Sequence, residues 1–203
     1  MNHSPFRTPA ERKAEREEKR EAVLRAAVRM FNERGFHAAS LDDVAASLGV
    51  SKPTIYHYLG NKDQVLLECV TRGVEQLRAA ADAAHAEPGT GLGRLRQFLR
   101  RYAEIIMDDF GRCVIRTADE QLTAESAARF RALKRQIDEA MQGLIAKGIA
   151  DGSIADSDVQ LTAFTLAGAL NWSARWHRPD GPLSAEDAAS QMVDVLTCGL
   201  APR

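Results

Sequence analysis

The sequence predicts an all-α protein, and three observations support this prediction. Apolar residues recur at helical spacing in almost every segment, strand-like alternation is nearly absent, and capping residues and glycines divide the chain into about nine helices. The 203 residues are 45% hydrophobic and 27% charged, a balance typical of folded domains. No apolar run approaches the roughly 20 residues that cross a bilayer, and the start lacks the apolar stretch of a secretory signal. We therefore expect a cytoplasmic protein with no membrane partner.

Catalytic and metal-binding patterns are missing from the sequence. The five histidines are scattered, and no GxSxG, HExxH, GxGxxG or P-loop pattern occurs. Cys69, Cys113 and Cys198 have no ligand at metal-binding spacing, so we expect three small buried hydrophobic residues rather than a zinc site or a disulfide. The sequence predicts a protein that is not an enzyme, with no catalytic residue, metal or cofactor.

The net charge of −1 conceals an asymmetry along the chain. Residues 1–62 hold 11 basic and 8 acidic side chains, whereas the remainder holds 16 and 20. A basic amino-terminal part on an acidic body weakly favours a polyanionic partner.

The first predicted helix begins after Thr8, because Thr8, Pro9 and Glu11 form a capping-box pattern with proline in the first turn. Residues 11–21 mix both charges and read as a solvated, frayed helix or tail, so residues 1–20 are assigned as a charged arm. An apolar face follows, and the helix ends at Gly35.

Two very short helices come next. Ser40 caps the first, which ends at Leu48 before Gly49, and Ser51 caps the second, which has Pro53 in its first turn and ends near Leu59. The predicted inward face consists of Leu41, Val44, Ala45 and Leu48, with Val50 and Ile55 in the same core, and Ala45 and Gly49 allow a close crossing. This spacing fits a helix-turn-helix, in which the second helix enters the major groove, and it also fits an ordinary helical hairpin.

The chemistry of the second short helix favours the helix-turn-helix. Hydroxyl, phenol and ammonium groups, which bind phosphate oxygens, follow Ser51 on a helix whose other face is apolar. A core position for Tyr58 and a solvated position for His57 remain open. The predicted DNA-binding residues are Ser40, Ser51, Lys52, Pro53, Thr54, Tyr56, His57, Tyr58 and Lys62.

Residues 22–69 resemble the amino-terminal domain of TetR-type bacterial transcriptional regulators. The match includes the Gly35-Phe36 turn, the Gly49-Val50-Ser51-Lys52 segment and the Gly60-Asn61-Lys62-Asp63 segment; Leu59 stands where the family usually has phenylalanine. The resemblance implies a homodimer that reads a near-palindromic operator in double-stranded DNA.

The resemblance also assigns roles within the predicted DNA-binding set. It places Thr54, Tyr56 and Lys62 on phosphates, and it leaves Lys52, Pro53 and His57 nearest the bases. Ser40 either binds phosphate or caps its helix. In the arm, Arg7, Arg12, Lys13 and Arg16 either follow a groove or stay solvated.

The rest of the chain predicts a helical body. We place a helix-turn-helix domain at 21–64 and an effector-binding and dimerisation domain at 65–203. The helices of this body are expected from Asn61 to about Glu87 and at 92–109, 112–120, 124–150, 157–177 and 184–200.

The segment 157–177 is apolar nearly all round, so it must be covered on every face. We expect it to form a four-helix dimer interface with the helix at 184–200 and their symmetry mates. The alternative is the core of a monomer.

Residues 171–178 join two tryptophans to two arginines, a combination that suits either a pocket mouth for an anionic ligand or a dimer core flanked by ion pairs. The stretch through Gly181 is similar to one in TetR-type regulators that respond to acyl-coenzyme A esters. That resemblance implies an acyl-CoA or another apolar-tailed anion as effector. The candidate effector-binding residues are Ile105, Ile106, Phe110, Phe130, Ile137, Met141, Phe164, Trp172, Arg175, Trp176 and Arg178.

The sequence as a whole favours a DNA-binding transcriptional regulator. Its expected mode is repression by occupying an operator, relieved by a small-molecule effector. The alternative is a helical protein-interaction module that does not bind DNA.

Overall fold

The computed structural model describes residues 8–198 and residue 200. The chain divides into two compact units after Leu66, two residues beyond the predicted domain boundary. Within the described residues the structure is helical and contains no strand, which confirms the predicted fold class. The first unit contains α1 (Pro9–Arg34), α2 (Leu41–Leu48), α3 (Lys52–Leu59) and the start of α4 (Lys62–Ala86).

The capping signals of the first unit form as predicted. Thr8 accepts a hydrogen bond from the Glu11 amide at 3.2 Å, and the Glu11 carboxylate accepts one from the Thr8 amide at 2.6 Å. Ser40 accepts a hydrogen bond from the Asp43 amide at 3.0 Å at the start of α2. Residues 11–21 are helical, mostly exposed and linked by i,i+4 ion pairs such as Glu15–Lys19 at 2.7 Å.

Three predictions about the α2–α3 pair are wrong. Leu48 and Val50 are 38% and 37% exposed, so they do not belong to the core that Leu41, Val44, Ala45 and Ile55 form. Ser51 has the extended backbone of an N-cap, but its hydroxyl contacts the Thr54 hydroxyl at 2.8 Å instead of a backbone amide.

Gly49 differs from its predicted role of avoiding a clash. A Cβ at this position would meet no atom within 4 Å, but the backbone has a φ of +65°. A side chain is strained in that left-handed conformation, so glycine is required for the turn itself.

The second unit surrounds α5. It contains the rest of α4, then α5 (Gly91–Met107), α6 (Asp109–Arg116), a 3₁₀ turn (Asp119–Gln121), α7 (Ala124–Ala150), α8 (Val159–Asn171), a one-turn helix (Ser173–Trp176) and α9 (Ala185–Cys198). α5 packs against α6, α7, α8 and α9, and its side chains Leu95, Phe98, Leu99 and Ile106 are fully buried.

The helix predicted over 157–177 is interrupted at Trp172. The Arg175 amide donates to the Trp172 carbonyl, three residues back, at 3.0 Å, a tighter bond than the four-residue bonds of an α-helix. Trp172 keeps right-handed helical dihedral angles, with φ −60° and ψ −27°, so the interruption is a local change in hydrogen bonding.

No helix in the described part of the chain is long and apolar enough to span a membrane. Among the described residues, no group of three or more His, Cys, Asp or Glu side chains is arranged to hold a metal ion. Cys69 and Cys113 are buried as predicted, whereas Cys198 is exposed, contrary to the prediction.

Candidate nucleic-acid interface

The outer face of α3 is polar, exposed and continuous. Ile55 and Leu59 are buried against the core of the first unit, so helical spacing turns Lys52, Pro53, Tyr56 and His57 outward together. Tyr56 is 51% exposed although it is a large aromatic residue. Of the predicted set, these four residues form the exposed outer face of α3.

Three predicted residues lie beside this face rather than on it. Thr54 and Tyr58 are half-buried, and the exposed Ser51 is bonded to Thr54 through its hydroxyl. The ring of Tyr58 contacts that of His57 with centroids 5.4 Å apart in an edge-to-face arrangement. Tyr58 therefore belongs partly to the core and partly supports His57.

Lys62, at the first position of α4, is held on the surface of Phe36. Its ammonium lies 4.4 Å from the centroid of the Phe36 ring and donates to the His37 carbonyl at 3.4 Å. Partial burial lowers the pKa of Lys62. The Asn61–Gln64 capping box, with both bonds at 2.9 Å, fixes this helix start. The cation is thus anchored before any DNA arrives.

Lys52 is paired with a carboxylate in the unbound protein. Its ammonium bonds to Asp42 on α2, and this contact raises the pKa of Lys52. Sequence reasoning missed Asp42 and Phe36 as partners of the two lysines. The only sequence signal for either was the position of Phe36 in the turn after α1.

The remaining predictions for the first unit are located as follows. Ser40 is half-buried and caps α2. Arg12, Lys13 and Arg16 are exposed on the first turns of α1, and Arg7 lies outside the described residues.

The candidate effector residues do not all come together. Ile137 and Met141 line a cavity of about 250 Å³ in the second unit, with Val74 and Leu77 of α4 on the same wall. Asn171 also lines it, and its side-chain carbonyl accepts a hydrogen bond of 2.8 Å from the buried Tyr102 hydroxyl. Ile105, Ile106, Phe110 and Phe130 are buried in the core but do not line this cavity.

The other effector candidates lie on the surface of the second unit. Phe164, Trp172 and Trp176 are 53%, 62% and 42% exposed, and Leu161 and Val195 are more exposed still. Arg175 and Arg178 are also exposed. These apolar side chains belong to α8, the one-turn helix and α9, which are the helices expected to form a dimer interface.

Arg175 lies close to Arg116 of α6, and Arg116 lies close to Arg112 on the same helix; sequence reasoning selected neither α6 arginine. Burial, and then the charges of Arg112 and Arg175, lower the pKa of Arg116. The i,i+4 spacing of Arg112 and Arg116 in the sequence was the available signal, since it places both side chains on one helix face.

The first unit has three helices, of which the third, α3, presents an outward face that carries a cation, and a larger helical unit follows it. This arrangement defines a helix-turn-helix DNA-binding protein with a second helical domain. Residues 23–69 match the family described as bacterial regulatory proteins, tetR family, and residues 88–200 match the tetracyclin repressor-like, C-terminal domain. The chain belongs to the TetR family of transcriptional regulators. It is a DNA-binding transcriptional regulator, and the alternative of an interaction module without DNA binding is not favoured.

Curated relatives include both repressors and an activator. The HTH-type transcriptional repressor KstR2 of Mycolicibacterium smegmatis is 26% identical over 194 residues, which cover 90% of each chain. The HTH-type transcriptional activator FasR of the same organism is 28% identical over 187 residues, which cover 91% of this chain and 84% of FasR. These relatives and the family are regulators rather than enzymes.

Solved structures share the fold over nearly the whole chain. The TetR family regulator PfmR of Thermus thermophilus is 30% identical, with a TM-score of 0.79, and the match covers 89% of this chain and 99% of PfmR. AibR, solved in complex with isovaleryl coenzyme A and operator DNA, is 24% identical with a TM-score of 0.75, over 87% of this chain and 97% of AibR. The AibR match shows the fold alone.

Proposed function

We propose that the protein binds the phosphates of operator DNA through Tyr56, Thr54 and Lys62. The residues that contact the bases are then His57, Lys52 and Pro53. The outward face of α3, with Tyr56 half exposed and Lys62 fixed on Phe36, is the observation that carries this proposal. A phenol and an anchored ammonium bind phosphate oxygens without regard to sequence, whereas an imidazole at the centre of the face reaches base edges.

Variants of these residues test the assignment. Tyr56→Phe and Lys62→Ala should weaken binding to operator and random duplexes alike, and each lost phosphate contact should flatten the slope of log K against log salt by about 0.9. His57→Ala should instead change which operator variants bind best. Fluorescence anisotropy at several salt concentrations measures both effects, with duplexes taken from the DNA flanking the gene. Unchanged affinity and slope in Tyr56→Phe and Lys62→Ala would contradict the assignment.

The second element of the proposal is a homodimer formed by α8, the one-turn helix and α9. Five large apolar side chains on these helices, Leu161, Phe164, Trp172, Trp176 and Val195, are 42–76% exposed in a single chain. α8, the one-turn helix and α9 all pack on α5, and apolar exposure of this kind favours a self-complementary interface. The dimer supplies two reading heads, which suits a near-palindromic operator.

The third element is repression relieved by an effector with an apolar tail and an anionic head, such as an acyl-CoA. KstR2 is named a repressor, and the AibR complex contains both isovaleryl coenzyme A and operator DNA, so this fold accommodates such a ligand. In this chain the tail would enter the 250 Å³ cavity beside Ile137 and Met141, and Arg175 and Arg178 would receive the head. The deeper candidates Ile106, Phe110 and Phe130 would act through packing around that path.

Release from DNA then follows from differential affinity. The effector must bind the form that does not fit the operator more tightly, by about 5.5 kcal/mol for a near-complete switch from 1:99 to 99:1. α4 is continuous from Lys62 to the cavity residues Val74 and Leu77, so its position links effector and DNA contacts. The cytoplasm, where chromosomal DNA is accessible, is the proposed location.

Titration of the protein–operator complex with acyl-CoAs of increasing chain length tests the effector class. Loss of anisotropy at micromolar acyl-CoA, but not with the matching free alcohol, is the expected result. If no acyl-CoA or free acid changes either operator affinity or the melting temperature, this effector class is excluded.

A further inference from the structure

Three buried polar atoms lie at the junction of α6 and the one-turn helix, and none has a hydrogen-bond partner within the described part of the chain. They are Arg112 Nε, Ser173 Oγ and His177 Nδ1. Ser173 is fully buried and His177 is 7% exposed. An unpaired buried polar group costs about 1–3 kcal/mol, so three at one place indicate a missing occupant rather than a chance defect.

The hydrogen bonds around these atoms join them into one site. The Arg112 guanidinium donates through one terminal nitrogen to the carbonyls of Met107 at 3.0 Å and His177 at 3.2 Å. The His177 amide bonds to the Ser173 carbonyl at 3.0 Å, so these two side chains lie one helical turn apart on the same face. These contacts place all three residues at the buried interface between α6 and the one-turn helix.

Two of the unpaired atoms are hydrogen-bond donors. Arg112 Nε and Ser173 Oγ each carry a proton. His177 Nε2 lies 3.2 Å from the Leu183 carbonyl, which only accepts, so Nε2 carries the proton of the ring and Nδ1 is the unprotonated nitrogen. Two unpaired donors at one junction match an acceptor with several oxygens.

The surrounding charge is positive. Arg112 and Arg175 both lie near Arg116, and no carboxylate within the described residues lies at ion-pair distance from Arg112 or Arg175. Guanidinium groups gathered in this way repel one another, and a bound anion lowers that cost.

We propose that the junction of α6 and the one-turn helix binds an oxyanion, a phosphate or carboxylate group, which accepts hydrogen bonds from Arg112 Nε and Ser173 Oγ. Arg116 and Arg175 supply the long-range attraction. This site would be the part of the proposed effector site that binds the anionic head of the effector. Only the identity of that natural occupant rests on the proposed function. The oxyanion site itself is tested without DNA or an acyl chain.

The first experiment measures the melting temperature of the full chain in sodium phosphate and in sodium chloride of equal ionic strength. Phosphate at 100-fold over its Kd should raise the melting temperature by several degrees. Phosphate also binds DNA-contacting cations, so the variants decide which site causes the shift.

Ser173→Ala is the decisive variant. Without phosphate it should melt at the wild-type temperature or above, because the hydroxyl that it removes has no partner. It should nevertheless lose about tenfold or more in phosphate affinity, as expected for a lost hydrogen bond to a charged group. Arg175→Gln should lower the affinity similarly. The matched control is Arg131→Gln, an arginine paired with Asp119 at 2.9 Å on α7, which should bind phosphate as the wild type does.

A second experiment tests whether the natural oxyanion is free phosphate or a phosphate of coenzyme A. Coenzyme A should bind at least tenfold more tightly than pantetheine, which lacks its phosphates, and Ser173→Ala should reduce that difference. If phosphate binds at this site but coenzyme A does not, the result supports the oxyanion site and contradicts an acyl-CoA as the effector. If wild type and Ser173→Ala bind phosphate and coenzyme A equally, or a phosphate-soaked crystal shows only water beside Ser173, the proposal is wrong.

Discussion

The charge of Lys52 is already paired before the protein meets DNA. Its partner Asp42 is a carboxylate on the face expected to approach phosphates, so it competes with DNA for the ammonium and repels the backbone. A surface ion pair contributes little to stability, which leaves DNA affinity as the property that Asp42 controls.

Asp42→Asn should therefore tighten binding to random duplex DNA about three- to tenfold and steepen the salt slope by about 0.9, since Lys52 becomes free for one phosphate. Anisotropy at several salt concentrations measures both values. In the Lys52→Ala background the same substitution should change little. An equal effect in both backgrounds would mean that Asp42 acts by its own charge and not through Lys52.

Ser40 has two candidate roles that substitution can separate. Its cap on the Asp43 amide predicts that Ser40→Ala costs about 1 kcal/mol, or about 2–4 °C in melting temperature. Ser40→Asp keeps the cap but adds a negative charge where a phosphate would lie, so it should retain stability and lose DNA affinity. Wild-type DNA binding by Ser40→Asp would show that Ser40 only caps the helix.

At the scale of elements, the start of α5 packs directly on α7. A Cβ on Gly91 would lie 2.2 Å from the Gly148 Cα and 2.4 Å from the Gly148 nitrogen, so backbone rather than a flexible side chain occupies the space. At Gly93, two residues further along the same helix, the only neighbour is the Thr90 hydroxyl at 3.3 Å.

Gly91→Ala should consequently destabilise the fold by about 1–3 kcal/mol, because two helices must move apart. Gly93→Ala should be neutral or stabilising, since alanine favours the helix and the hydroxyl can yield a few tenths of an ångström. Thermal unfolding followed by circular dichroism compares the two variants. Similar losses in both would contradict the close packing of α5 on α7.

The helices also show which structural features the sequence patterns could predict. Caps at Thr8, Ser40 and Asn61 and the breaks at Gly35 and Gly49 depend on neighbouring residues, so the helix starts and ends were predicted closely. The interruption at Trp172 was not predicted, because residues 157–177 keep helical spacing throughout and contain no proline. Packing of the one-turn helix on α6 is a long-range contact with no local signature.

At the scale of the whole molecule, the exposed apolar side chains of α8 and α9 predict an assembly. Leu161→Glu and Val195→Glu alter residues that are 66% and 76% exposed in one chain. Each should convert the dimer to monomers in sedimentation experiments and reduce operator affinity at least tenfold, while helical content stays the same. Ala79→Glu, an exposed position on α4, provides the control for an added charge. A dimer that survives both substitutions would place the interface elsewhere.

The sequence by itself determined the helical class, most helix boundaries and the outward face of α3 that we propose to contact DNA, because caps, breakers and i,i+4 spacing act within a few residues. It did not determine that Lys52 is paired with Asp42, that Lys62 rests on Phe36, or that Leu48 and Val50 face outward. It also could not bring Arg112, Ser173 and His177 together, since 65 residues separate Arg112 from His177 in the chain. Only tertiary packing decides which buried polar atoms lack a partner, because that depends on every neighbour in space and not on the order of residues.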